Sequence, residues 1–517
     1  MPREIITVQV GQCGNQIGCR FWDLVLREHA QHNEGGVFDD SLSSFFRNVD
    51  SRRGGDIPVG DGTRPISALR ARAVLVDTEE GVVGQLRRGP IAELFEDTVC
   101  VAGVSGSGNN WAHGHMEYGP AHRERFVESV RRAVGACDSL QCFSLLHSLG
   151  GGTGSGLGTY LLKTLQDEYP RVLRFATSVF PSADDDVITS PYNACLAAAQ
   201  LVEHADVVFP CDNAALAELT ARAARPSAAD GGSKHGPSLS ENATGRAMGG
   251  VGDGAGGKPA PAKAFDGMNN LVAHMLTNLT ASVRFEGALN TDLADLTSSL
   301  VPYPRMHFLV PALAPLYSLR DVKYQPTRLE HLFTEVSPPC KRHAQPATRN
   351  PPHPPCHHTC HHLSQVLGPG AQLMRVDPKH APLLACGLLL RGDVTVSDAQ
   401  RNLARLRPSI RLPPWNPDGV KIGLCSTPTL GQPLSMLALT NSCCMAEVFG
   451  TLTGRFDRLY KRKAHVHHYT QFMEAEALAQ ARESLATVQA EYARLGAAVP
   501  SAEALDLLER LRGAPTT

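Results

Sequence analysis

The chain has 517 residues, with 49 Lys+Arg against 51 Asp+Glu, 42% hydrophobic and 19% charged residues, and a sequence pI near 6.9. That length predicts two to four domains with sizeable cores, and the near-zero net charge lacks the basic excess of a nucleic-acid binder. The longest apolar runs, such as 382–390, fall short of the roughly 18 residues a membrane span needs, the N-terminus has no apolar signal-peptide core, and the fourteen cysteines read as free thiols of a reducing cytosol.

In chain order, the β-branched run at 4–10 predicts a first strand that ends on a glycine. Short apolar runs at 73–77, 142–148, 175–180 and 207–210 predict further strands, each bounded by Gly, Pro or Asp. Helical patterns lie between them; at 123–136, Phe126, Val130, Ala133 and Val134 share one face. Such alternation argues for a mostly parallel sheet covered by helices on both faces, with ligands at the carboxyl ends of the strands. Residues 222–263, with ten glycines and four prolines, and 337–370, with eight prolines, six histidines and three cysteines, read as disordered inserts that bury too little apolar surface to order. The Ala-, Leu-, Arg- and Glu-rich stretches 446–468, 475–495 and 502–512 predict helices. The fold class is α/β, then α+β, then helical. The division is 1–221, the insert 222–263, 264–444 with the insert 337–370, and 445–517.

The strongest chemical signal is Ser148-Leu-Gly-Gly-Gly-Thr-Gly-Ser-Gly-Leu-Gly158, between a predicted strand and a helix that runs to about Glu168. Its glycines let backbone N–H groups approach an anion, the helix start adds its dipole, and Ser148, Thr153 and Ser155 offer hydroxyls. A phosphate chain is the natural guest. The P-loop is excluded because no Lys follows the glycines, and the dinucleotide fingerprint fails at every register of this loop. A formal GxGxxG at Gly252–Gly257 has no strand before it and lies in the Gly-rich insert. Further strand-end loops contribute GQCGNQ at 11–16, with amides and N–H groups, VDTEEG at 76–81, with carboxylates suited to Mg²⁺, and a Gly/Asn turn at 105–111. Singly these are turn chemistry; together they suggest one nucleotide site.

In this order the loops resemble the tubulin family. Besides those above, the matching stretches are SGNNWAHGH at 107–115, GGGTGSG at 150–156, PYN at 191–193, RFEGALNTDL at 284–293, VPYPRMHF at 301–308, DPKH at 377–380, WNPDGVKIG at 415–423 and YKRKAHVHHY at 460–469. FWDLVLREH at 21–29, SFFRNVD at 44–50 and the insert after 221 look most like the epsilon branch, less like the alpha and beta subunits of the microtubule wall. The resemblance implies a tubulin/FtsZ-like, Rossmann-type GTP-binding domain, an α+β intermediate domain and C-terminal helices, with GTP and Mg²⁺ as ligands. Carried over residue by residue, Gln12 and Cys13 contact the nucleotide, and Glu79, with Asp77 beside it, holds Mg²⁺ through water. Ser148, Gly152, Thr153 and Gly154 hold the phosphates, and Asn109 flanks the γ-phosphate. Asp186 falls on a ribose position, Asn213 and Asn269 read the guanine edge, and Phe265 stands where the family stacks an aromatic on the base. Two departures are Phe265 for the usual Tyr, which keeps the ring face, and Ser190 for an acidic residue before Pro191.

Hydrolysis in the family is completed across subunits by a carboxylate, here Asp295, with Asp292 one turn earlier on the same helix face. The resemblance therefore implies slow, assembly-coupled GTPase activity, with a GTP-bound structural adaptor or cap on centriolar tubules as the alternative. It places the chain in the cytoplasm, at the centriole, basal body or centrosome, in centriole duplication and triplet microtubule organisation. Partners are other tubulins, delta-like, alpha or beta, and centriolar proteins, with neither nucleic acid nor membrane insertion. Weaker signals are Cys340, His343 and CHHTCHH at 356–362, which have zinc-ligand types but read better as low-complexity sequence. The aspartates 184–186 read as a solvated loop. The basic face 458–468 could meet an acidic partner. Residues 497–517 carry few acids and form no polyanionic tail.

Overall fold

A computed structural model of the chain describes residues 3–33, 38–50, 55–57, 66, 68–95, 100–102, 106–182, 185, 187–223, 265–316, 368, 370–378 and 381–498. Nearly all of both inserts lies outside these, as do Gly252–Gly257, the zinc-type residues 340–362, Asp184, Asp186 and the helix read at 502–512.

The β-branched run forms β1 (Glu4–Val10), buried along its whole length, as a central strand covered on both faces must be. It passes directly into α1 (Gly11–His32). A small antiparallel sheet follows, from β2 (Phe46–Val49), β3 (Asp56–Ile57) and β4 (Leu69–Ala71). The chain then alternates through β5 (Ala73–Asp77), α2 (Glu80–Leu86), β6 (Cys100–Ala102), α3 (Gly119–Gly135), β7 (Leu140–Ser148), α4 (Gly158–Glu168), β8 (Leu173–Phe180), α5 (Ser190–His204) and β9 (Val207–Asp212). These strands build one six-stranded sheet in the order β6-β5-β1-β7-β8-β9, every pair parallel. From β1 the chain moves outward to β5 and β6, then returns to β7 on the other side of β1. At such a reversal the connecting helices take opposite faces and a crevice opens beyond the strand ends.

Side chains alternate along β1. Ile6 and Val8 join Phe126, Leu161 and Leu201 under α3, α4 and α5. Ile5 joins Phe21, Trp22 and Val25 of α1 on the opposite face. Helix α1 lies close to the sheet because Gly14 has no Cβ; one built there would come within 2.1 Å of the Leu146 carbonyl oxygen.

After β9 come α6 (Asn213–Ala223), α7 (Asp266–Leu279), α8 (Ala281–Arg284), α9 (Leu293–Leu300), β10 (Leu309–Ala314), β11 (Leu383–Gly392), α10 (Val396–Leu406), β12 (Val420–Cys425) and β13 (Leu434–Ser442). The last four strands form a second sheet in the order β10-β13-β11-β12, parallel only between β11 and β12. Helix α7 is shared by both sheets, since Met275 and Leu276 cluster with Leu75 of the first and with Leu389, Leu437 and Leu439 of the second. The Val208 N–H donates to the His307 carbonyl (2.9 Å) and the Asp212 N–H to the Leu373 carbonyl (2.8 Å), which binds the edge of the first sheet to the second part of the chain.

The helix expected over 446–468 is instead two. Helix α11 (Met445–Tyr460) stops, and α12 (Val466–Thr470) resumes after a tight turn. Lys463 and His465 adopt left-handed φ values of 51° and 58° there. No glycine marks the break, and Gly or Asn is the usual sign of one. Helix α13 (Ala475–Ala498) covers the predicted 475–495 and packs Leu485, Val488 and Tyr492 into the core beneath α5 and α11. Among the described residues no helix is long and apolar enough to cross a membrane.

Candidate nucleotide-binding site

The crevice at the strand ends is a cavity of about 500 Å³. Every strand of the large sheet sends residues from its end or from the loop that follows it into the lining. Gln12 and Cys13 come after β1, Asp77 and Glu79 from the end of β5, Ser148 and Gly150–Gly154 from β7, Asp185 after β8, and Asn213 after β9. Ser107 and Asn109 reach in from the loop before α3, and Phe265 and Asn269 close the far end. The sequence-predicted site residues converge here except Asp295, which stands elsewhere, Asp186, which lies outside the described residues, and Ser155, which is buried off the lining with its hydroxyl donating to the Gly151 carbonyl.

One end is built for an anion. Helix α1 begins at the end of β1 with no acidic residue in its first turn and no capping side chain, which leaves free N–H groups and the positive dipole end at the cavity. Gly11 makes the sharp entry at φ 71°, where L side chains are strained, and a Cβ on it would lie 3.2 Å from the Gly154 nitrogen. The glycines of the β7 loop serve two different ends. A Cβ on Gly151 would meet nothing nearer than Asn109 Oδ1 at 3.7 Å, so Gly151 keeps the cavity wall thin. Gly152 and Gly156 instead face protein, with Cβ positions 2.6 Å from the Asn110 nitrogen and 2.2 Å from the Trp111 carbonyl oxygen. Residues Thr153–Leu157 and His113–Tyr118 both form π-helical turns, and Gly156 and Gly114, with Cβ positions 3.0 Å from the His115 nitrogen and 3.1 Å from the Leu157 nitrogen, let them lie against each other; such turns are rare and gather at functional sites.

Hydroxyls and one amide lock the loops together. Thr153 Oγ1 lies 2.6 Å from Thr78 Oγ1 and 3.0 Å from Ser107 Oγ. Below it, His147 donates from Nδ1 to the Gly154 carbonyl and accepts at Nε2 from Ser178 Oγ, both at 2.8 Å. Burial pushes the ring down to about 4 against the pull of the carbonyl, so it is a neutral prop. Asn193 is fully buried. Its Nδ2 donates to the carbonyls of Asn109 (2.8 Å) and Gly150 (2.9 Å), while its Oδ1 accepts from the Trp111 N–H (2.9 Å) and the Tyr469 hydroxyl (2.5 Å). The sequence signal for it was available: one amide in the apolar run PYNACLAAA must find partners once buried.

The carboxylates stand beside this cradle. Asp77 ends β5 and accepts from the Thr78 N–H at 2.8 Å. Burial pushes its carboxyl up to about 6, and the Glu79 charge adds to the rise. A buried carboxyl held that high, next to a second carboxylate and a donor-rich loop, fits a cation that arrives with a phosphate chain. Among the described residues no three His, Cys, Asp or Glu gather to hold a metal, so Mg²⁺ would take its remaining ligands from phosphate and water, as it prefers. Cys13 is half-buried in the wall, and desolvation there pushes its thiol up to about 12.

The opposite end suits a flat heterocycle. Phe265 has φ 74° and is 53% exposed at the start of α7, over a floor of Leu216, Met268 and Val272. Asn213 opens α6, and Asn269 Nδ2 reaches Gln16 Oε1 at 3.5 Å. Aromatic face and amide edges are what base stacking and edge recognition require. Gln16, the last residue of the GQCGNQ loop, has no role of its own in the sequence reading, and Asp185, which accepts from Ser182 Oγ at 3.1 Å, lines the cavity although the sequence reads 184–186 as a solvated loop. The buried Ser190 hydroxyl has no hydrogen-bond partner among the described residues.

Asp295 is at the other end of the sheet. The Asp292 carboxylate caps α9 by accepting from the Asp295 N–H (2.6 Å) and pairs with Arg3 (2.7 Å). Arg3 immediately precedes β1, so α9 starts at the amino edge of the sheet. The seven residues of β1 separate that edge from Gly11 by about 23 Å at 3.3 Å per residue. Asp295 is exposed there, which puts its own chain's cavity out of reach. The two aspartates thus play different parts, Asp292 as a cap and Asp295 as an exposed carboxylate with no ion-pair partner among the described residues.

Residues 4–221 match the Tubulin/FtsZ family, GTPase domain, and residues 356–453 the Tubulin C-terminal domain. The chain is 46% identical over 499 residues to a Mus musculus protein named tubulin epsilon chain, and 45% identical over 500 residues to its Homo sapiens namesake, each alignment covering 96% of both chains. It is 31% identical over 490 residues to the tubulin beta-2 chain of Suillus bovinus, covering 93% of this chain and 94% of that one.

Proposed function

The chain belongs to the tubulin family, and from that premise we propose that it is an epsilon-like tubulin, binding GTP with Mg²⁺ and working at the centriole or basal body. Family membership makes it a GTP-binding protein of the cytoskeleton. The observation that carries the nucleotide assignment is the convergence of the strand-end loops on one cavity with an anion end, a carboxylate pair and an aromatic–amide end. The N–H groups of Gly152 and Gly154, the Ser148 and Thr153 hydroxyls and the α1 start with Gln12 and Cys13 hold the phosphates, and Asn109 flanks the γ-phosphate. Glu79 and Asp77 hold Mg²⁺, whose role is to neutralise phosphate charge. Phe265 stacks on guanine, Asn213 and Asn269 read its edge, and Asp186 meets the ribose.

Hydrolysis in this reading needs a second subunit, because Asp295 and the cavity occupy opposite ends of the sheet. In a head-to-tail pair, Asp295 of one chain positions water at the γ-phosphate of the next. An Asp295→Ala protein should keep its full nucleotide content but form GDP on assembly about 10²-fold more slowly, the lower range for a positioned base. Chromatography of extracted nucleotide from assembled samples reads this, and unchanged turnover sinks the role. A second reading, GTP as a structural ligand in an adaptor or cap, is favoured by the Ser190 hydroxyl, which has no partner among the described residues and stands where the family has a carboxylate. It requires GTP to stay intact after assembly.

The centriolar part rests on likeness: 46% and 45% to the epsilon chains against 31% to a beta chain. A tagged chain should concentrate at centrioles or basal bodies and co-purify with other tubulins, delta-like, alpha or beta, and with centriolar proteins. Even incorporation along cytoplasmic microtubules would overturn this assignment.

A further inference from the structure

The turn between α11 and α12 carries the chain's densest positive run. Lys461, Arg462 and Lys463 are exposed, as are Arg458 upstream and His467 and His468 beyond. None of the four Lys and Arg side chains has an ion-pair partner among the described residues. The acid next to Arg458 in sequence, Asp457, is already engaged, with Arg482 at 2.9 Å. Exposed like charges crowded onto one turn repel, and a ligand carrying carboxylates relieves that repulsion.

The turn is also tethered to the nucleotide loops. Tyr192 donates from its hydroxyl to the Ala464 carbonyl (2.9 Å), and Asn110 Nδ2 donates to the His468 carbonyl (2.8 Å). The buried Tyr469 donates to Asn193, the same amide that holds the carbonyls of Asn109 and Gly150 at the cavity. A movement of the 107–111 loop or of Gly150 therefore reaches the turn through hydrogen bonds alone.

We propose that the turn at 461–468 docks an acidic segment of a partner polypeptide, and that the Asn193–Tyr469 and Asn110–His468 bonds make docking depend on the nucleotide in the cavity. The second half rests on the nucleotide reading above. The patch suits a short run of carboxylates and not a long polyanion, because Glu474 and Glu476, both exposed, follow α12 and would repel an extended one.

The test uses the full chain with a fluorescent ten-residue polyglutamate peptide, followed by anisotropy in GTP-loaded, GDP-loaded and nucleotide-stripped samples. Binding should weaken with added salt. Lys461→Glu/Arg462→Glu/Lys463→Glu should lower affinity at least about tenfold, and nucleotide content should hold because none of the three lines the cavity. Affinity should differ about fivefold or more between the GTP and GDP forms, and Tyr469→Phe, which removes only the hydroxyl, should shrink that difference. Unchanged affinity in the triple variant overturns the docking site. Tighter binding of a ten-nucleotide RNA than of the peptide overturns the partner chemistry. Equal affinity of the GTP and GDP forms overturns the coupling. A wild-type chain that takes up no guanine nucleotide overturns the cavity reading and the coupling with it, while the triple variant still decides the docking site.

Discussion

A Gly152→Ala protein should leave purification with almost no bound nucleotide. The backbone at Gly152 is right-handed helical (φ −87°, ψ −44°), so alanine meets no conformational penalty there and the effect is steric. The new Cβ would lie 2.4 Å from Ser107 Oγ and 2.6 and 2.9 Å from the nitrogen and carbonyl oxygen of Asn110. The serine can rotate, but the backbone atoms cannot, because Asn193 pins Asn109 and Trp111 on either side. The Gly-rich loop must therefore move away and take its N–H groups out of line with the phosphates. Hydrogen bonds to charged groups contribute about 1.5–3 kcal/mol each. Two misaligned donors then lower affinity by roughly 10²- to 10⁴-fold. Gly135→Ala, at the end of α3 with open space around the new Cβ, is the control and should leave nucleotide content unchanged. Nucleotide measured by absorbance and chromatography decides the matter, and full retention in Gly152→Ala would show that the loop does not hold phosphate.

How much of this was legible in the sequence follows from how local each signal is. β1 is a β-branched run that stops on a glycine, and both the strand and its role in the site could be read from adjacent residues. The same holds for Asp77, Glu79, Ser148 and Thr153, which stand at strand ends where short loops leave little freedom. Asp292 and Asp295 were harder. Both precede an apolar helical run, and only the bond from the Asp295 N–H to Asp292, with Arg3 across from it, separates cap from free carboxylate. The glycines after β7 look alike in the sequence, yet Gly151 borders the cavity while Gly152 and Gly156 accommodate a neighbouring turn more than thirty residues earlier in the chain. The break between α11 and α12 escaped because Lys463 and His465 adopt left-handed conformations without glycine. What holds them is distant: Tyr192 grips the Ala464 carbonyl and Asn110 the His468 carbonyl. Non-local contacts of this kind carry no periodicity.

Glu28 is the extreme case, and its removal should give the largest loss of stability. On the amphipathic helix α1 a glutamate reads as solvated, but Glu28 is buried. It accepts from Arg284 of α8 at 2.7 Å and from Arg391 of β11 at 3.0 Å, both also buried. One carboxylate thus joins the first sheet's helix to the second sheet. Burial alone would raise its carboxyl, but the two guanidinium charges and their hydrogen bonds outweigh it and hold the group below its ordinary 4.5. Glu28→Gln leaves two buried cations with no anion, and breaking a buried pair in this way costs about 3–5 kcal/mol. The site lies some 16 residues along α1 from Gln12, about 24 Å at 1.5 Å per residue, so nucleotide stoichiometry in the folded fraction should not change while the urea midpoint falls. The pH dependence has a definite sign. A depressed carboxylate contributes stability that is present above its unfolded pKa and is lost as pH falls through the folded one. The gap between wild type and Glu28→Gln should therefore be full at neutral pH and close on acidification below the ordinary carboxylate range. Replacing all three charges with methionine should recover only part of the loss. Arg284 also donates to the Thr277 carbonyl, and Arg391 to those of Thr427 and Pro428, and an apolar triad leaves those oxygens unpaired. A Glu28→Gln midpoint equal to wild type at neutral pH would mean that the two arginines find water or carbonyl partners enough, and that the shared core of α7 and the backbone bonds of β9 suffice to hold the sheets together.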